Sequence, residues 1–242
     1  MMGLLLWKDG EQGTRPVVLQ ECAVLQMRFL KAEIRRSDGT PEMLLRRRIT
    51  AAAGKLRRCG VTHVVLPEVF SHTAILGKKG VRPVSTLPLR RELASDWVRA
   101  ALEQRGVPVN SARVAVSAEH LTGEVVRTVT ELVLRHRYVL LELPWGGEEL
   151  CRQLRREYGV SVLLNPPEEQ LRSADAQVLF APREGRGEGV ALRLYEESCP
   201  LPRLLLPQEV EKQLPQGVNR GQLLTALRES GALRTGQITV AL

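Results

Sequence analysis

Two groups of side chains in this sequence have types and spacings that could carry chemistry. Glu68, Ser71 and His72 follow a short valine-rich run, and a carboxylate near an imidazole can pass a proton to or from a substrate. Ser117, Glu119, His120, Thr122 and Gly123 follow a second apolar run, with the imidazole of His120 next to a carboxylate, where its charge state responds to small changes in environment. Two further places could meet a ligand. Trp145-Gly146-Gly147 stands before a helical pattern and could present free peptide N–H groups to an anion; Asn165 closes another apolar run. None of these fixes a catalytic residue, because there is no G-x-S-x-G elbow and no second acid at a recognisable spacing. A solvated Ser-His loop is the favoured reading of residues 68–72.

The cysteines, Cys22, Cys59, Cys151 and Cys199, stand singly with no C-x-x-C spacing, so no metal site and no disulfide framework is expected. That pattern suits reduced thiols and a cytoplasmic protein. The longest apolar runs are too short for a signal segment or a membrane span, and no membrane partner is expected.

Charge is unevenly placed. Residues 1–110 carry 19 Lys+Arg against 10 Asp+Glu, so the excess behind the net +8 lies in the first half. Arg46, Arg47, Arg48, Lys55, Arg57 and Arg58 fall on the polar side of one helical pattern, and Gly77-Lys78-Lys79-Gly80 with Arg82 could extend a basic stripe. Such a stripe is an argument for a nucleic-acid partner. Against it stand an aromatic content of 4%, which leaves few stacking platforms, and the absence of Walker spacing around the lysines.

The elements that must position these residues follow from periodicity and punctuation. Apolar runs at 4–7, 16–19 and 23–30, separated at Asp9-Gly10 and Gly13, read as an antiparallel hairpin or meander whose edges leave room for a homodimer. Asp38-Gly39 turns the chain, Thr40 caps, and Leu45, Ile49, Ala52 and Leu56 mark a helix stopped at Gly60. A strand at 62–66, a long loop at 71–87 and a second helix from Pro88 to Gln104 follow. Beyond a linker at 107–111 the reading is strand 113–116, helix 124–136, strand 138–143, helix 148–158, strand 160–164, a helical turn at 168–173, and strands at 177–180 and 190–195. Unbroken Val/Leu runs of this kind mark parallel strands covered on both faces. Residues 203–206 could extend or cover the sheet, Asn219 caps a last helix, and 238–242 read as a terminal strand. The expectation is an α/β protein with a smaller basic α+β domain over residues 1–110 and a mostly parallel α/β domain over 111–242.

Residues 112–182 resemble the Rossmann-type nucleotide-binding domains of dehydrogenases. The likeness is carried by the helix at 148–154 with Tyr158-Gly159-Val160, by residues 169–175 ending in Ala174-Asp175, and by Val178-Leu179-Phe180. It implies a ligand above the carboxyl ends of the strands, at Ser117–Gly123, Pro144–Gly147 and Asn165. It also implies NAD(P), with Glu142 near the family's ribose-binding acid. The phosphate loop departs from the family: only Gly123 of three glycines is present, and Glu119 and Glu124 put negative charge where the phosphate would lie. NAD(P) is therefore disfavoured. The reading ranked first is a non-redox structural, regulatory or small-ligand-binding protein, ahead of an NAD(P)-dependent oxidoreductase with His120 or His72 as proton donor and of a nucleic-acid-binding protein.

Overall fold

Leu4 and Leu5 are buried almost completely, whereas the alternating residues of 17–24 are half exposed, and that contrast decides which strand is central. The computed structural model describes residues 1–10, 16–37, 39–183 and 187–241. They fall into two units, Met1–Thr86 with Leu206–Gln237, and Leu87–Leu205 with Ile238–Leu242.

The first unit opens with β1 (Met2–Asp9), β2 (Val17–Val24) and β3 (Met27–Arg36), followed by α1 (Glu42–Arg58), β4 (His63–Val65), α2 (Thr73–Gly77) and β5 (Arg82–Pro83). Sheet order is β2-β3-β1-β4-β5. Only β2 and β3 form an antiparallel hairpin; β1 runs parallel to both β3 and β4. This corrects the meander expected from the sequence. The unbroken run Leu4–Leu6 belongs to a central parallel strand covered on both faces, while Gln20 and Glu21 suit the sheet edge. The turn between β2 and β3 escaped notice because its residues, Leu25 (φ 45) and Gln26 (φ 69), hold the left-handed conformation that Asn-Gly usually signals. The apolar run at 23–30 is in fact two strands and that turn. Leu5, Ile34, Ile49, Ala53, Leu56 and Val64 form the core between this sheet and α1. At the start of α1 the cap is Pro41, and the Thr40 hydroxyl instead accepts from the Ser37 N–H at 2.8 Å. Gly13 and Asp38, both read as turn residues, lie outside the described residues.

The second unit opens with α3 (Leu87–Glu92) and α4 (Ala94–Gln104), which are two helices meeting at Leu93 instead of the single one expected. Then come β6 (Arg113–Ser117), α5 (Gly123–Val133), β7 (Tyr138–Glu142), α6 (Gly147–Tyr158), β8 (Leu163–Leu164), α7 (Glu168–Arg172), β9 (Ala176–Leu179) and β10 (Val190–Arg193). All five strands are parallel, in the order β10-β9-β6-β7-β8. Numbered from β6, that is 3-2-1-4-5, the strand order of a Rossmann-type sheet lacking its sixth strand. The fold class is α/β, Rossmann-like in this unit. Each crossover is built as expected: α5 buries Val125, Val129, Leu132 and Val133 at helical spacing, and α6 stops at Gly159, which is left-handed at φ 68. Asp175 explains the Ala-Asp turn before β9, since its carboxylate accepts from the Arg113 N–H at 2.8 Å and its own N–H donates to the Arg113 carbonyl at 2.9 Å.

The remaining elements are β11 (Arg203–Leu205), α8 (Gln208–Glu211), α9 (Arg220–Glu229) and β12 (Thr239–Ala241). β11 does not extend the five-stranded sheet of the second unit, pairing antiparallel with β12 in a ribbon of its own. Asn219 caps α9 as expected, accepting from the Gln222 N–H at 3.0 Å. The units differ in extent from the division at residue 110. Helices α3 and α4 fall in the second unit, α4 packing on β9. The segment carrying α8 and α9 returns to the first, where the Leu66 N–H donates to Gln222 Oε1 at 2.8 Å and Pro67 bridges to Val218. No helix among the described residues is long and apolar enough to cross a membrane.

Two outcomes test this description. Gln26→Gly should stabilise the protein by about 0.5–1 kcal/mol in urea unfolding, because glycine removes a left-handed strain at an exposed position. His136, just after α5, is buried and donates from Nδ1 to the Val109 carbonyl at 2.9 Å, leaving Nε2 without a protein partner among the described residues. Burial pushes its pKa below the usual histidine value. The unfolded chain therefore takes up a proton that the folded one refuses: stability is fully present above about pH 6.5 and is lost as pH falls from there toward the depressed folded value. Tm should fall between pH 7 and pH 5, and His136→Gln should flatten that slope.

Candidate functional site

In a sheet of this order the connections from β6 and β9 leave in opposite directions, opening a crevice above their carboxyl ends. The Phe180 N–H donates to the Ser117 carbonyl at 2.9 Å, holding the two strand ends together. Over them lies a cavity of about 130 Å³ lined by residues including Arg91, Ala118, His120, Thr122 and Phe180. Small-molecule sites usually enclose about 300 Å³ or more. Glu119 and His120 are exposed at its mouth. The Ser117 hydroxyl is buried without a hydrogen-bond partner among the described residues. Thr122 is the N-cap of α5, accepting from the Val125 N–H at 3.3 Å, and Gly123 stands in open space, so no close backbone approach requires it. The positive end of α5 is already met by Glu124, whose carboxylate pairs with Arg91 at 2.7 Å. Arg91 is held in turn by the Leu194 carbonyl at 3.0 Å.

The β7 side is occupied by the protein itself. Trp145 is 80% exposed. Gly146 holds a left-handed φ of 82, and a Cβ there would come within 3.1 Å of Leu121 Cδ2, so the loops after β6 and β7 touch. Gly147 is required because its backbone lies against the Leu164 side chain. Asn165, left-handed at φ 46, completes the end of β7 with its side chain: Oδ1 accepts from the Leu143 N–H at 2.8 Å and Nδ2 donates to the Leu143 carbonyl at 3.1 Å. Glu142, in the place of the ribose acid, accepts from Arg183 Nε at 3.0 Å, and Arg183 Nη2 reaches Glu168 at 2.6 Å. The Arg183 side chain is 13% exposed. Arg172 and then Arg183 hold the Glu168 carboxyl below the usual range.

In the first unit Glu68 and His72 have different neighbours. The Glu68 N–H donates to the Gly217 carbonyl at 3.1 Å, and Glu68 lines a cavity of about 490 Å³ with Glu211, Lys212 and Arg220. His72 lies edge-on to Phe70, with Nδ1 3.7 Å from Glu42 Oε1; Ser71 is exposed. The basic residues do not form one stripe. Arg48 donates to the Arg35 carbonyl at 2.6 Å, Lys55 to the Val17 carbonyl at 3.1 Å and Arg58 to the Gly54 carbonyl at 3.3 Å, while the Arg57 side chain lies beside Gly80. Arg46 and Arg47 instead line a groove with Lys78 and Lys79. Among the described residues no group of three or more His, Cys, Asp or Glu side chains could hold a metal ion.

No protein-family model matches the chain, and no curated protein matches it. Solved structures with some likeness include an L-tryptophan dehydrogenase from Nostoc punctiforme, 17% identical over 62% of this chain and 44% of that one, TM-score 0.30. A shikimate 5-dehydrogenase from Listeria monocytogenes, solved with shikimate and NAD, is 8% identical over 62% of this chain and 58% of that one, TM-score 0.27. The catalytic subunit of M. jannaschii aspartate transcarbamoylase is 12% identical over 62% and 51%, TM-score 0.29. The chain spans about half the length of these structures. Likeness at this level assigns neither activity nor ligand, and the Rossmann-like description rests on the strand order alone.

Arg91, Phe180 and Arg183 were missed in the sequence. A usable signal existed, since a switch-point crevice is walled by the loops on both sides of the reversal, and residues 180–183 follow the fourth strand of the sheet. The double amide pairing of Asn165 gives a direct test. Asn165→Ala should lower stability by about 2 kcal/mol, from two lost hydrogen bonds and a left-handed alanine, whereas a residue kept only for a ligand would leave the urea midpoint unchanged.

Proposed function

We propose that this is a non-redox binding protein, regulatory or structural in role, in which the Rossmann-like unit is a scaffold and its strand-end crevice takes a small polar molecule and not a dinucleotide. The observation that carries this reading is Arg183, which ties Glu142 to Glu168 and so occupies the carboxylate that a ribose would need. Three neighbours support it: the contact between Leu121 and Gly146, the Glu124–Arg91 pair at the start of α5, and a cavity of about 130 Å³. A dinucleotide would have to displace the charge-assisted hydrogen bonds of Arg183 and bring its phosphates up to Glu124. His120 and Thr122 line the cavity where a small ligand would sit, and the exposed Trp145 follows the neighbouring strand β7 and serves as a reporter.

Titration of the full chain with NADH and NADPH, following Trp145 emission and the cofactor's own fluorescence, tests the reading. No saturable change is expected at millimolar cofactor. A saturable change that His120→Ala alters would overturn it and favour an NAD(P)-dependent oxidoreductase with His120 as proton donor.

A further inference from the structure

A groove between α1 and α2 in the first unit is left unused by the strand-end reading. Its volume is about 910 Å³. Glu42, Met43, Arg46, Arg47, Thr50 and Ala51 supply the α1 wall, and Ile75, Lys78 and Lys79 the other. Residues 43, 47, 50 and 51 recur at helical spacing, so one stripe of α1 about 12 Å long faces the groove. The stripe is mixed. Met43 is 69% exposed and Ala51 is exposed, while Ile75 is half-buried, giving an apolar floor. Arg46, Arg47, Lys78 and Lys79 are all exposed, and no carboxylate among the described residues pairs with them. That sets them apart from Arg48, Lys55 and Arg58 on the same helix, whose charges are held by backbone carbonyls. The Thr50 hydroxyl is used within α1, donating to the Arg46 carbonyl at 2.8 Å.

We infer that this groove docks an acidic amphipathic helix of a protein partner. A helix laid in a groove places apolar anchors on the floor at i, i+3, i+4 and i+7 and its polar flanks on the rim, and here the floor is apolar and both walls carry two cations. Carboxylates on the flanks of such a helix meet Arg46 and Arg47 on one side and Lys78 and Lys79 on the other. The groove's length along α1 matches about two turns of docked helix. A nucleic acid fits the same surface less well. No aromatic side chain among the described residues lines the groove to stack a base, and its floor offers a backbone nothing but methyl and thioether groups; Glu42 at one end, 3.7 Å from His72, repels phosphate and carboxylate alike and so does not separate the two. The surface lies wholly in the first unit, so this inference stands independently of what the second unit binds.

The test uses the full chain and a fluorescein-labelled designed helical peptide, with leucines at i, i+3, i+4 and i+7 and glutamates on both flanks. Controls are a scrambled peptide of identical composition, a peptide with lysine for glutamate, and single-stranded poly-uridine RNA. Saturable binding of the acidic amphipathic peptide is expected, at least tenfold tighter than the scrambled one and absent for the lysine peptide. Lys78→Glu with Lys79→Glu should weaken it at least tenfold, and so should Met43→Glu. These positions are exposed, so circular dichroism and Tm should match the unaltered protein. Equal binding of scrambled and ordered peptides, or RNA binding tighter than the peptide and lost in the Lys78→Glu/Lys79→Glu protein, would overturn the inference in favour of a plain polyanion site. No saturable binding of the acidic peptide would also overturn it.

Discussion

Buried peptide groups must find partners, and β6 can satisfy its own only between two other strands. Val114, Ala115 and Val116 are buried almost completely, which denies them water. β7 supplies partners on one side and β9 on the other, both in parallel register. Parallel pairing then requires crossovers, and their right-handed sense carries α5 and α6 toward β8 while β9 leads away to β10. The crevice at the reversal is a consequence of that constraint and does not depend on the residues beside it. Strand order and function are thus separable: a sheet can keep the first while the loops above it lose, or never had, the chemistry that makes a dinucleotide site.

Several polar groups in the loops above this sheet are satisfied from within. Asn165 serves as a substitute peptide for Leu143, Thr122 as a cap, and Glu142 and Glu168 as the two seats of one guanidinium. Gly146 and Gly147, which resemble an anion-binding turn in the sequence, answer to a left-handed φ and to the Leu164 side chain. Each contact is modest alone, but together they tie the ends of β7, β8 and β9 into one network, where removing a member leaves others unpaired.

Much of the second unit was legible because its signals are local and redundant. The valines of α5 and the Gly159 stop of α6 give the same answer as the strand runs between them. The strand at 160–164 shrank to Leu163 and Leu164 because β8 sits at the edge, paired on one side only. The first unit was less legible. A two-residue turn made of Leu25 and Gln26 carries no turn chemistry, and whether β1 lies beside β2 or beside β3 is a long-range choice that alternation in one strand cannot express. For the strand-end site, the partners of the candidate residues were not legible: Arg183 lies 41 positions from Glu142 in the sequence, and nothing local announces that they meet. The basic helix was read as one face, though hydrogen bonds to the Arg35 and Val17 carbonyls had already taken two of its charges.

That last point bears on where binding surfaces are found in a chain of this kind. A side chain whose hydrogen bonds are made inside the protein can meet a ligand only by abandoning them, and a ligand must replace that loss before it gains anything. Arg183 and Asn165 are in that position, as is Arg48. Exposed cations without a carboxylate partner start from hydration alone, and the desolvation they undergo at the rim of an apolar groove is partial. In α1 the two classes alternate within a few residues, Arg46 and Arg47 facing the groove and Arg48 turned to the Arg35 carbonyl. Periodicity divides such a helix into two faces; hydrogen bonding divides its charged face again, and it is the second division that separates the residues holding the fold from those free to hold a partner.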